Sequence, residues 1–394
     1  MFSPPLLTKE GNGEVKLWYN SRMAGLYLHI PFCAKKCHYC NFVVTTSDSP
    51  GERGEFLDRL GREAAHYSPR FRGVSFDTLY LGGGTPSRLH PPEIEEVFRV
   101  LRSYFSFRED AEVTFEANPG DTGPGKARLW RALGVNRVSL GVQSFQEETL
   151  KKINRSHGAR EIGESFSALR EAGFDNISAD LMLSLPGQTV SDTKNSLEAL
   201  LRFGPEHVSL YELVVEEKTV FGALRRQGRL DLPDEETQVD SLGLARSTLK
   251  DAGYRHYELL SYARPGRESR HNRIYWDNEE YLGLGPGAFS YLDGRRYRNS
   301  RGVDEYLDKI RKGDWTASEE ETLTAEKKEI ESLLLALRLE EGADIRRFSR
   351  LVDRFAGPIG DLREKGLLES AGDRLRLTPR GQLFAETVFA ELSG

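Results

Sequence analysis

Three cysteines within eight residues give this chain its clearest chemical signal. Cys33, Cys37 and Cys40 are the only cysteines in its 394 residues, so any disulfide would leave one thiol unpaired. Three thiolates on one short loop are typical of a metal or iron–sulfur site. A four-iron cluster usually takes one thiolate per iron, so three cysteines would leave one iron open to a small molecule.

Zinc and unliganded thiols are the alternatives for the same residues. Zinc would need His38 as its fourth ligand, but His38 is confined between two of the cysteines in the sequence. Structural zinc sites usually combine ligands from two separated knuckles, and the sequence has no second group of cysteines. Unliganded thiols would fit a reducing cytoplasm, as does the low cysteine usage of the whole chain.

The cysteines follow a short run of strand-forming residues, 25–30, and therefore lie just beyond the end of a predicted strand. In α/β barrels that end of the strands is where chemistry occurs. Strand-like and helix-like stretches alternate from there, and six β/α repeats predict a parallel sheet curved into a barrel or part of one. The other five predicted strands are 78–81, 112–116, 138–142, 177–182 and 208–213.

The pattern changes after residue 230. A helix near 235–251 precedes the segment 257–262, and a loop is expected from there to about residue 300. A strongly periodic helix is predicted from Thr324, and 343–394 predict the order helix, helix, hairpin, helix, which resembles a winged helix. Nine Lys and Arg against eight Asp and Glu in this last segment favour a structural cap or lid over DNA binding.

Composition excludes several classes of protein. The 55 Lys and Arg against 61 Asp and Glu leave no basic excess for nucleic-acid binding. A mean hydropathy of -0.53 and the lack of a long apolar run exclude a transmembrane helix. The first twenty residues lack the apolar core of a signal peptide. We therefore expect a cytoplasmic protein.

The cysteine stretch resembles a known family once its neighbours are included. Cys-x3-Cys-x-aromatic-Cys after a strand resembles the radical S-adenosylmethionine (SAM) superfamily, and Tyr27-Leu28-His29-Ile30-Pro31-Phe32-Cys33 resembles its branch of coproporphyrinogen III dehydrogenases and HemW-type heme chaperones. The resemblance extends over nearly the whole chain. It implies a 4Fe-4S cluster on Cys33, Cys37 and Cys40, with SAM chelating the open iron through its amino and carboxylate groups.

The resemblance also implies an α/β fold: a partial, open six-unit (β/α) radical SAM barrel with an α+β, winged-helix-like C-terminal domain. The predicted division is an N-terminal extension over 1–22, the barrel over 23–230, a connecting region over 231–318 and the C-terminal domain over 319–394. Residues 1–22 are either dispensable, with Met23 as the natural start, or a short ordered arm.

Glycines and polar residues at the ends of predicted strands form a candidate SAM site. The run Gly82-Gly83-Gly84-Thr85-Pro86 follows the second strand, where glycines let the backbone approach a ligand and expose N–H groups to it. Polar side chains at the carboxyl ends of barrel strands are typical of ligand sites, although each alone could be a turn or a loop cap. The resemblance assigns contacts with SAM to Tyr27, Tyr39, Gly83, Gly84, Thr85, Glu116, Gln143, Arg155 and Asp180.

The stretch His271-Asn272-Arg273-Ile274-Tyr275-Trp276 is the second candidate site. A neutral imidazole is a common axial ligand of heme iron, and His271 and Tyr275 would share a face of a helix. A lone histidine among aromatic residues is more often structural. The pattern His-Asn-x-x-Tyr-Trp, however, resembles the heme-binding motif of HemW-type chaperones. The resemblance therefore implies heme binding by His271, Asn272, Tyr275 and Trp276.

Phe42 separates the two main functional hypotheses. The dehydrogenases resembled carry a further cysteine at this position, so Phe42 favours a chaperone that binds a cluster, SAM and heme and passes heme to an acceptor such as a respiratory heme protein. The alternative is an oxygen-independent coproporphyrinogen III oxidase, which uses SAM to decarboxylate propionate side chains oxidatively. A radical methyltransferase is the third hypothesis, and the His271–Trp276 stretch disfavours it.

The preferred hypothesis implies particular partners. These are a heme acceptor protein and an electron donor of the reductase or flavodoxin type, with no nucleic acid. Peripheral contact with a membrane and a monomeric or dimeric state both remain open.

Overall fold

The computed structural model describes residues 24–47 and 49–393 as an α/β protein with one large sheet and one small sheet. The predicted extension 1–22 and the start at Met23 lie outside the described residues. The strands are β1 Gly25–Ile30, β2 Ser75–Gly83, β3 Ser106–Ala117, β4 Arg137–Gln143, β5 Ile177–Leu183, β6 His207–Glu212, β7 Arg255–Glu258, β8 Ser261–Ala263, β9 Tyr281–Leu284, β10 Phe289–Leu292, β11 Arg295–Arg298, β12 Glu319–Thr322, β13 Ala343–Asp344, β14 Leu368–Ala371 and β15 Arg374–Leu377. The α-helices are α1 Pro50–Tyr67, α2 Pro91–Tyr104, α3 Pro124–Ala132, α4 Glu147–Lys152, α5 Ala159–Glu171, α6 Val190–Leu201, α7 Val220–Arg226, α8 Glu235–Asp251, α9 Arg270–Trp276, α10 Val303–Lys312, α11 Ala325–Leu337, α12 Ser349–Arg354, α13 Ala356–Glu364, α14 Pro379–Leu383 and α15 Ala385–Ser393.

Six parallel strands, β1 to β6 in chain order, form the centre of the large sheet. Each of the six predicted strands overlaps one of them. The full order is β12-β11-β10-β9-β1-β2-β3-β4-β5-β6-β8-β7, so β12 and β7 are the edges and the sheet does not close on itself. The prediction of an open six-unit barrel is confirmed.

Alternation along the strands separates an apolar face from a polar face. In β1, Leu26 and Leu28 are buried in the main hydrophobic cluster together with Phe56 of α1. The intervening Tyr27 points to the opposite face, where its ring centroid lies 6.0 Å from that of Tyr80 in β2. The helices therefore cover one face, and the other face is left to line the inside of the open barrel.

The loop expected from residue 262 to about residue 300 is wrong, because this segment contains α9, β9, β10 and β11. β9 is parallel to β1, with Tyr281 opposite Gly25, and β8 is antiparallel to β6. Strands of four residues or fewer carry too little alternation to be recognised. The division of the chain into domains remains a prediction.

The residues from α11 onward pack around a second hydrophobic cluster. α11 begins after Thr324, whose hydroxyl accepts a hydrogen bond from the N–H of Lys327 at 3.2 Å, as the predicted helix start requires. β14 and β15 form an antiparallel hairpin that turns at Gly372, where φ is 60°. Two helices, a hairpin and further helices match the predicted winged-helix-like order. No helix in the described part of the chain is both long and apolar enough to cross a membrane.

Glu63 of α1 connects the later strands to the first β/α unit. Its carboxylate accepts hydrogen bonds from the N–H of Gly285 at 2.9 Å, Asn299 Nδ2 at 2.7 Å and the hydroxyl of Tyr306 at 2.7 Å. Burial raises the pKa of Glu63 to about 7 although these three donors oppose the shift. Glu63 thereby holds the turn after β9, in which a Cβ at Gly285 would lie 2.3 Å from the carbonyl oxygen of His29.

Replacing Glu63 by glutamine should lower the free energy of unfolding by about 1–3 kcal/mol at pH 4.5, because the new amide N–H atoms would face hydrogen-bond donors. The carboxyl has a pKa of about 7 in the folded protein, against the 4.5 that is usual for a glutamate. Protonated Glu63 therefore stabilises the wild type most at low pH. This contribution to the free energy of unfolding decreases by up to about 3 kcal/mol as the pH rises from 4.5 to 7. Urea unfolding of both proteins should show their difference shrinking from pH 4.5 to 7, and a constant difference would contradict the assignment.

Candidate cofactor site at the carboxyl ends of the strands

The three cysteines lie on the loop that follows β1. This loop is anchored by backbone hydrogen bonds from Cys33 N–H to the carbonyl of Thr45 at 2.9 Å and from Thr45 N–H to the carbonyl of Pro31 at 2.8 Å. The thiols are free and partly buried, and all three line a cavity of about 650 Å³. Burial raises the pKa of Cys33 to about 11 and also raises that of Cys40. Bound metal would supply the positive charge that deprotonates them.

The arrangement of the thiols fits a cluster better than zinc. His38, the fourth ligand that zinc would need, is directed away: its Nδ1 lies 2.9 Å from the carbonyl oxygen of Lys152, and its ring packs against Phe221. Within residues 24–47 and 49–393, no group of three His, Cys, Asp or Glu side chains could hold a metal ion. A cubane cluster places its thiolates on separate irons, so its three sulfurs need not meet at one point.

The predicted SAM residues are largely gathered around the same cavity. Tyr27 is the exception, because it lies deeper in the barrel, with its hydroxyl 3.2 Å from Nδ1 of His29. Strand ends and loops of successive β/α units contribute the others, as expected for ligand residues of a barrel. The predicted SAM residues that line the cavity are Tyr39, Gly83, Gly84, Thr85, Glu116, Gln143, Arg155 and Asp180.

Glu116 lies against the glycine-rich end of β2. Its carboxylate accepts hydrogen bonds from the hydroxyl of Tyr80 at 2.8 Å and from the N–H of Gly83 at 3.1 Å. A Cβ at Gly82 would lie only 2.9 Å from the carboxyl carbon of Glu116, so glycine is needed for this approach. Burial raises the pKa of Glu116 to about 7. The site thus holds a buried carboxyl group that changes its protonation state close to neutral pH.

Arg155 places a guanidinium group beside the cysteine loop. Its Nη2 donates to Asn118 Oδ1 at 2.7 Å and to the carbonyl of Gly141 at 2.6 Å, and Nη1 lies 3.5 Å from Cys37 Sγ. A Cβ at Gly141 would lie 2.9 Å from Nη2. Its Nε is buried and lacks a hydrogen-bond partner within the described residues. A ligand carboxylate entering the cavity would meet a fixed positive charge with donor capacity left.

Gln143 and Asp180 complete the set from β4 and β5. Gln143 has φ of 67°, a left-handed conformation that is uncommon outside glycine and is often retained at functional sites. Asp180 is close to the hydroxyl of Ser139, at 3.3 Å, and burial raises its pKa to about 6. These groups can accept hydrogen bonds from the hydroxyls of a bound ligand.

Asn118 is a cavity residue that the sequence analysis missed. Besides accepting from Arg155, its Oδ1 lies 3.1 Å from Nδ1 of His157, and its Nδ2 donates to Ser156 Oγ at 3.2 Å. Asn118 follows Glu116 by two residues, and side chains two positions apart along a strand point to the same face. This spacing could have indicated that Asn118 shares the site of Glu116.

The predicted heme residues lie at the other end of the barrel and do not line the cavity. His271 and Tyr275 share a face of α9, as the helical spacing predicts. His271 is buried, with Nδ1 2.7 Å from the hydroxyl of Thr78 and Nε2 2.8 Å from the hydroxyl of Tyr275. Burial lowers the pKa of His271 to about 3, so its imidazole is neutral, as heme iron requires.

The other two residues of this motif differ in their surroundings. Asn272 is partly exposed, and its N–H is bonded to the hydroxyl of Ser269 at the start of α9. The ring of Trp276 is covered by the guanidinium of Arg338, 4.3 Å from its centroid. The C-terminal helices therefore contact α9 directly. The heme role of the four residues remains a prediction.

Comparison with protein families gives two matches along the chain. The model of the radical SAM superfamily matches residues 27–200, which hold the cysteines and every predicted SAM residue. The model of the HemN C-terminal domain matches residues 323–384, the segment with the winged-helix-like order.

Curated relatives match over most of their length. Heme chaperone HemW of Bacillus subtilis is 35% identical over 379 residues, covering 94% of this chain and 100% of the relative. Heme chaperone HemW of Escherichia coli is 30% identical and covers 92% of this chain and 96% of the relative. Among solved structures, the coproporphyrinogen III oxidase HemN of Escherichia coli superposes with a TM-score of 0.85 at 25% identity, covering 95% of this chain and 91% of that one.

Proposed function

Because the chain belongs to the HemW family of heme chaperones, within the radical SAM superfamily, we propose that it binds a 4Fe-4S cluster, SAM and heme and delivers heme to an acceptor protein. The observation that carries the proposal is the cavity of about 650 Å³, which the three cysteine thiols line together with Glu116, Asp180 and Arg155. Its volume is in the range of cofactor sites. The alignments cover 94% and 92% of this chain and 100% and 96% of the two relatives.

In this proposal each part of the cavity has a role. Cys33, Cys37 and Cys40 hold the cluster, whose open iron provides a place for the amino and carboxylate groups of SAM. Arg155 neutralises the carboxylate, and Glu116 and Asp180 accept hydrogen bonds from hydroxyl groups. The remaining contacts in the cavity are supplied by Tyr39, Gly83, Gly84, Thr85 and Gln143, and Tyr27 supports the site from deeper in the barrel.

Anaerobic reconstitution with iron and sulfide, followed by SAM binding, tests this part of the proposal. We expect the absorption and paramagnetic signals of a cubane cluster, and SAM should bind only to the reconstituted protein. Preparation under strictly oxygen-free conditions that gives solely a mononuclear ion would refute it.

For heme we propose α9, with His271 as the axial ligand and Asn272, Tyr275 and Trp276 around the macrocycle. His271 has the required neutral imidazole, but Tyr275 occupies its Nε2. Heme ligation therefore requires the hydroxyl of Tyr275 to move away. This gives the two residues opposite roles that can be separated by mutation.

Heme titration followed by absorption spectroscopy should distinguish His271→Ala from Tyr275→Phe. Loss of the axial ligand should weaken heme binding more than about tenfold, whereas loss of the competing hydroxyl should strengthen it up to about fivefold, the equivalent of one hydrogen bond. Equal binding by His271→Ala and the wild type would exclude His271 as the ligand. Weaker binding by Tyr275→Phe would show that the hydroxyl contacts heme and does not compete with it.

An oxygen-independent coproporphyrinogen III oxidase is the second candidate function. It is supported by the structural likeness to HemN of Escherichia coli. Phe42, in the place of the cysteine expected for the dehydrogenases, disfavours it. An anaerobic assay that measures porphyrinogen oxidation beside heme binding decides between the two, since turnover to protoporphyrinogen would favour the oxidase.

We propose a respiratory heme protein as the acceptor and a reductase or flavodoxin as the electron donor, in the cytoplasm. Co-purification with a candidate acceptor in the presence and absence of heme tests the first of these.

A further inference from the structure

The mouth of the cluster cavity has two oppositely charged walls. Arg298 and Arg301, at and after the end of β11, line one side, and Glu212 and Glu216, at and after the end of β6, line the other. In the sheet, β11 and β6 are separated by β10, β9 and β1 to β5. The positive and negative residues of the cavity therefore come from strands on either side of the run β1 to β5.

Arg298 and Arg301 form a positive pair that is incompletely neutralised. Arg298 is held by a hydrogen bond to the carbonyl of Gly287 at 3.2 Å, packs over the ring of Phe289 and has an ion pair at 3.5 Å with the half-exposed Glu319. Burial and the charge of Arg301 lower the pKa of Arg298. No ion pair of Arg301 is found in the described part of the chain. Two neighbouring guanidinium groups on one wall of a cavity can bind carboxylates or phosphates.

Large apolar side chains are exposed at the same mouth. Phe42 is 66% exposed and Val214 is 69% exposed, and both line the cavity. Phe42 lies on the cysteine loop and Val214 follows β6, so the two flank the opening. A flat apolar ligand with carboxylates along one edge would match this arrangement of aromatic, aliphatic and positively charged groups.

Heme has this distribution, because its two propionates lie side by side on one edge of an apolar macrocycle. We propose that heme docks at the mouth of the cluster cavity with its propionates on Arg298 and Arg301 and its macrocycle against Phe42 and Val214. Glu212 and Glu216 then face the edge without carboxylates. A tetrapyrrole with propionates around its whole ring would place some of them against these glutamates, so the same mouth selects heme over coproporphyrins.

This docking position is separate from His271. Gly25 is the first residue of β1, and a Cβ on it would lie 3.2 Å from the ring of His271. The cysteine loop instead follows Ile30, the last residue of β1. A six-residue strand spans about 17 Å between these ends. The two places lie at opposite ends of β1, so we assign the mouth as a second position. This inference rests on the proposed heme function and adds the site and the selectivity.

Heme titrations of the cluster-loaded protein test the proposal. Arg301→Glu should weaken heme binding at the mouth at least about tenfold, the loss of one charge-assisted contact and its replacement by repulsion. Arg298→Lys keeps the positive charge of Arg298 and is included to show whether a change in this wall by itself disturbs folding. Arg160→Glu on α5, where Arg160 is exposed and pairs with Glu161 and Glu164, is the matched control and should bind as the wild type does. The titrations are repeated in His271→Ala, where the dependence on Arg301 should persist.

A ligand series completes the experiment. The dimethyl ester of heme should bind wild type and Arg301→Glu alike, and iron coproporphyrin should bind weakly to the wild type but more tightly to the double variant Glu212→Gln, Glu216→Gln. If Arg301→Glu leaves heme binding unchanged both in the wild type and in His271→Ala, the docking site is refuted while the chaperone proposal stands. If Arg301→Glu loses SAM instead of heme, the arginines belong to the SAM site. If no protein in the series binds heme saturably, the proposed function itself fails.

Discussion

Alanine at Cys33, Cys37 or Cys40 should abolish cluster assembly in each single variant. Three thiolates are all that the chain can offer, since no other cysteine exists. Two remaining sulfurs would leave two irons of a cubane without protein ligands. Anaerobic reconstitution should then give little bound iron and sulfide and none of the visible absorption of a cluster. SAM binding should fall with it, because the open iron that SAM would occupy is lost.

Phe42→Cys is the matched control for these variants. It adds a thiol at the position where the related dehydrogenases carry one, on an exposed side chain, and takes no ligand away. Iron and sulfide content and SAM affinity should remain those of the wild type. A cysteine-to-alanine variant that keeps full iron and sulfide content would show that the thiols are not the ligands of the cluster. A control that loses its cluster would show that the loop tolerates no change at all.

Gly84→Ala is expected to have the second-largest effect, although glycine and alanine differ by one methyl group. A Cβ at this position would lie 2.8 Å from the carbonyl carbon of Pro31 and 2.9 Å from the carbonyl oxygen of Ile30. Both are backbone atoms at the start of the cysteine loop, and Gly84 N–H also donates to Ile30 at 2.8 Å. The methyl group can be accommodated only if this loop moves, at a cost of about 1–3 kcal/mol.

The expected result for Gly84→Ala is a lower unfolding midpoint together with poor cluster incorporation. Gly54→Ala is the control, because nothing lies within 4 Å of its Cβ position and Gly54 is exposed in α1. That change should stabilise the protein by about 0.5–1 kcal/mol through helix propensity and leave the cluster intact. Equal cluster content in the two variants would mean that β2 does not position the cysteine loop.

The sequence predicted the parallel centre of the sheet well, because its strands are long enough for alternation to be visible. β2 and β5 are bounded by glycine, serine or proline and contain runs such as Leu79-Tyr80-Leu81 and Asp180-Leu181-Met182. The same regularity placed Glu116 and Gln143 at strand ends and Asp180 within the fifth strand. That these residues share one cavity follows from parallel strands, whose carboxyl ends lie on the same side.

Contacts between distant segments could not be predicted in this way. Nothing in the segment 281–284 indicates that it pairs with β1, because four residues carry little periodicity and their partner is far away in the chain. The partners that bury His271 could not be predicted for a related reason: α9 packs against Thr78 and Glu112, which precede it by more than 150 positions. Sequence spacing showed that His271 and Tyr275 would share a helix face, but not that the hydroxyl of Tyr275 would lie within hydrogen-bond distance of Nε2 of His271.

The pairing of β9 with β1 also has a consequence for synthesis on the ribosome. Gly25 emerges early, but its partner Tyr281 is translated only after all six β/α units. Until then one border of the nascent sheet, next to the thiols, has unsatisfied backbone groups that invite intermolecular pairing. The turn at Gly285 and Gly287, which packs on His29 and Val43, arrives at the same late moment. Metal loading before that point would have to occur on a half-finished and aggregation-prone intermediate.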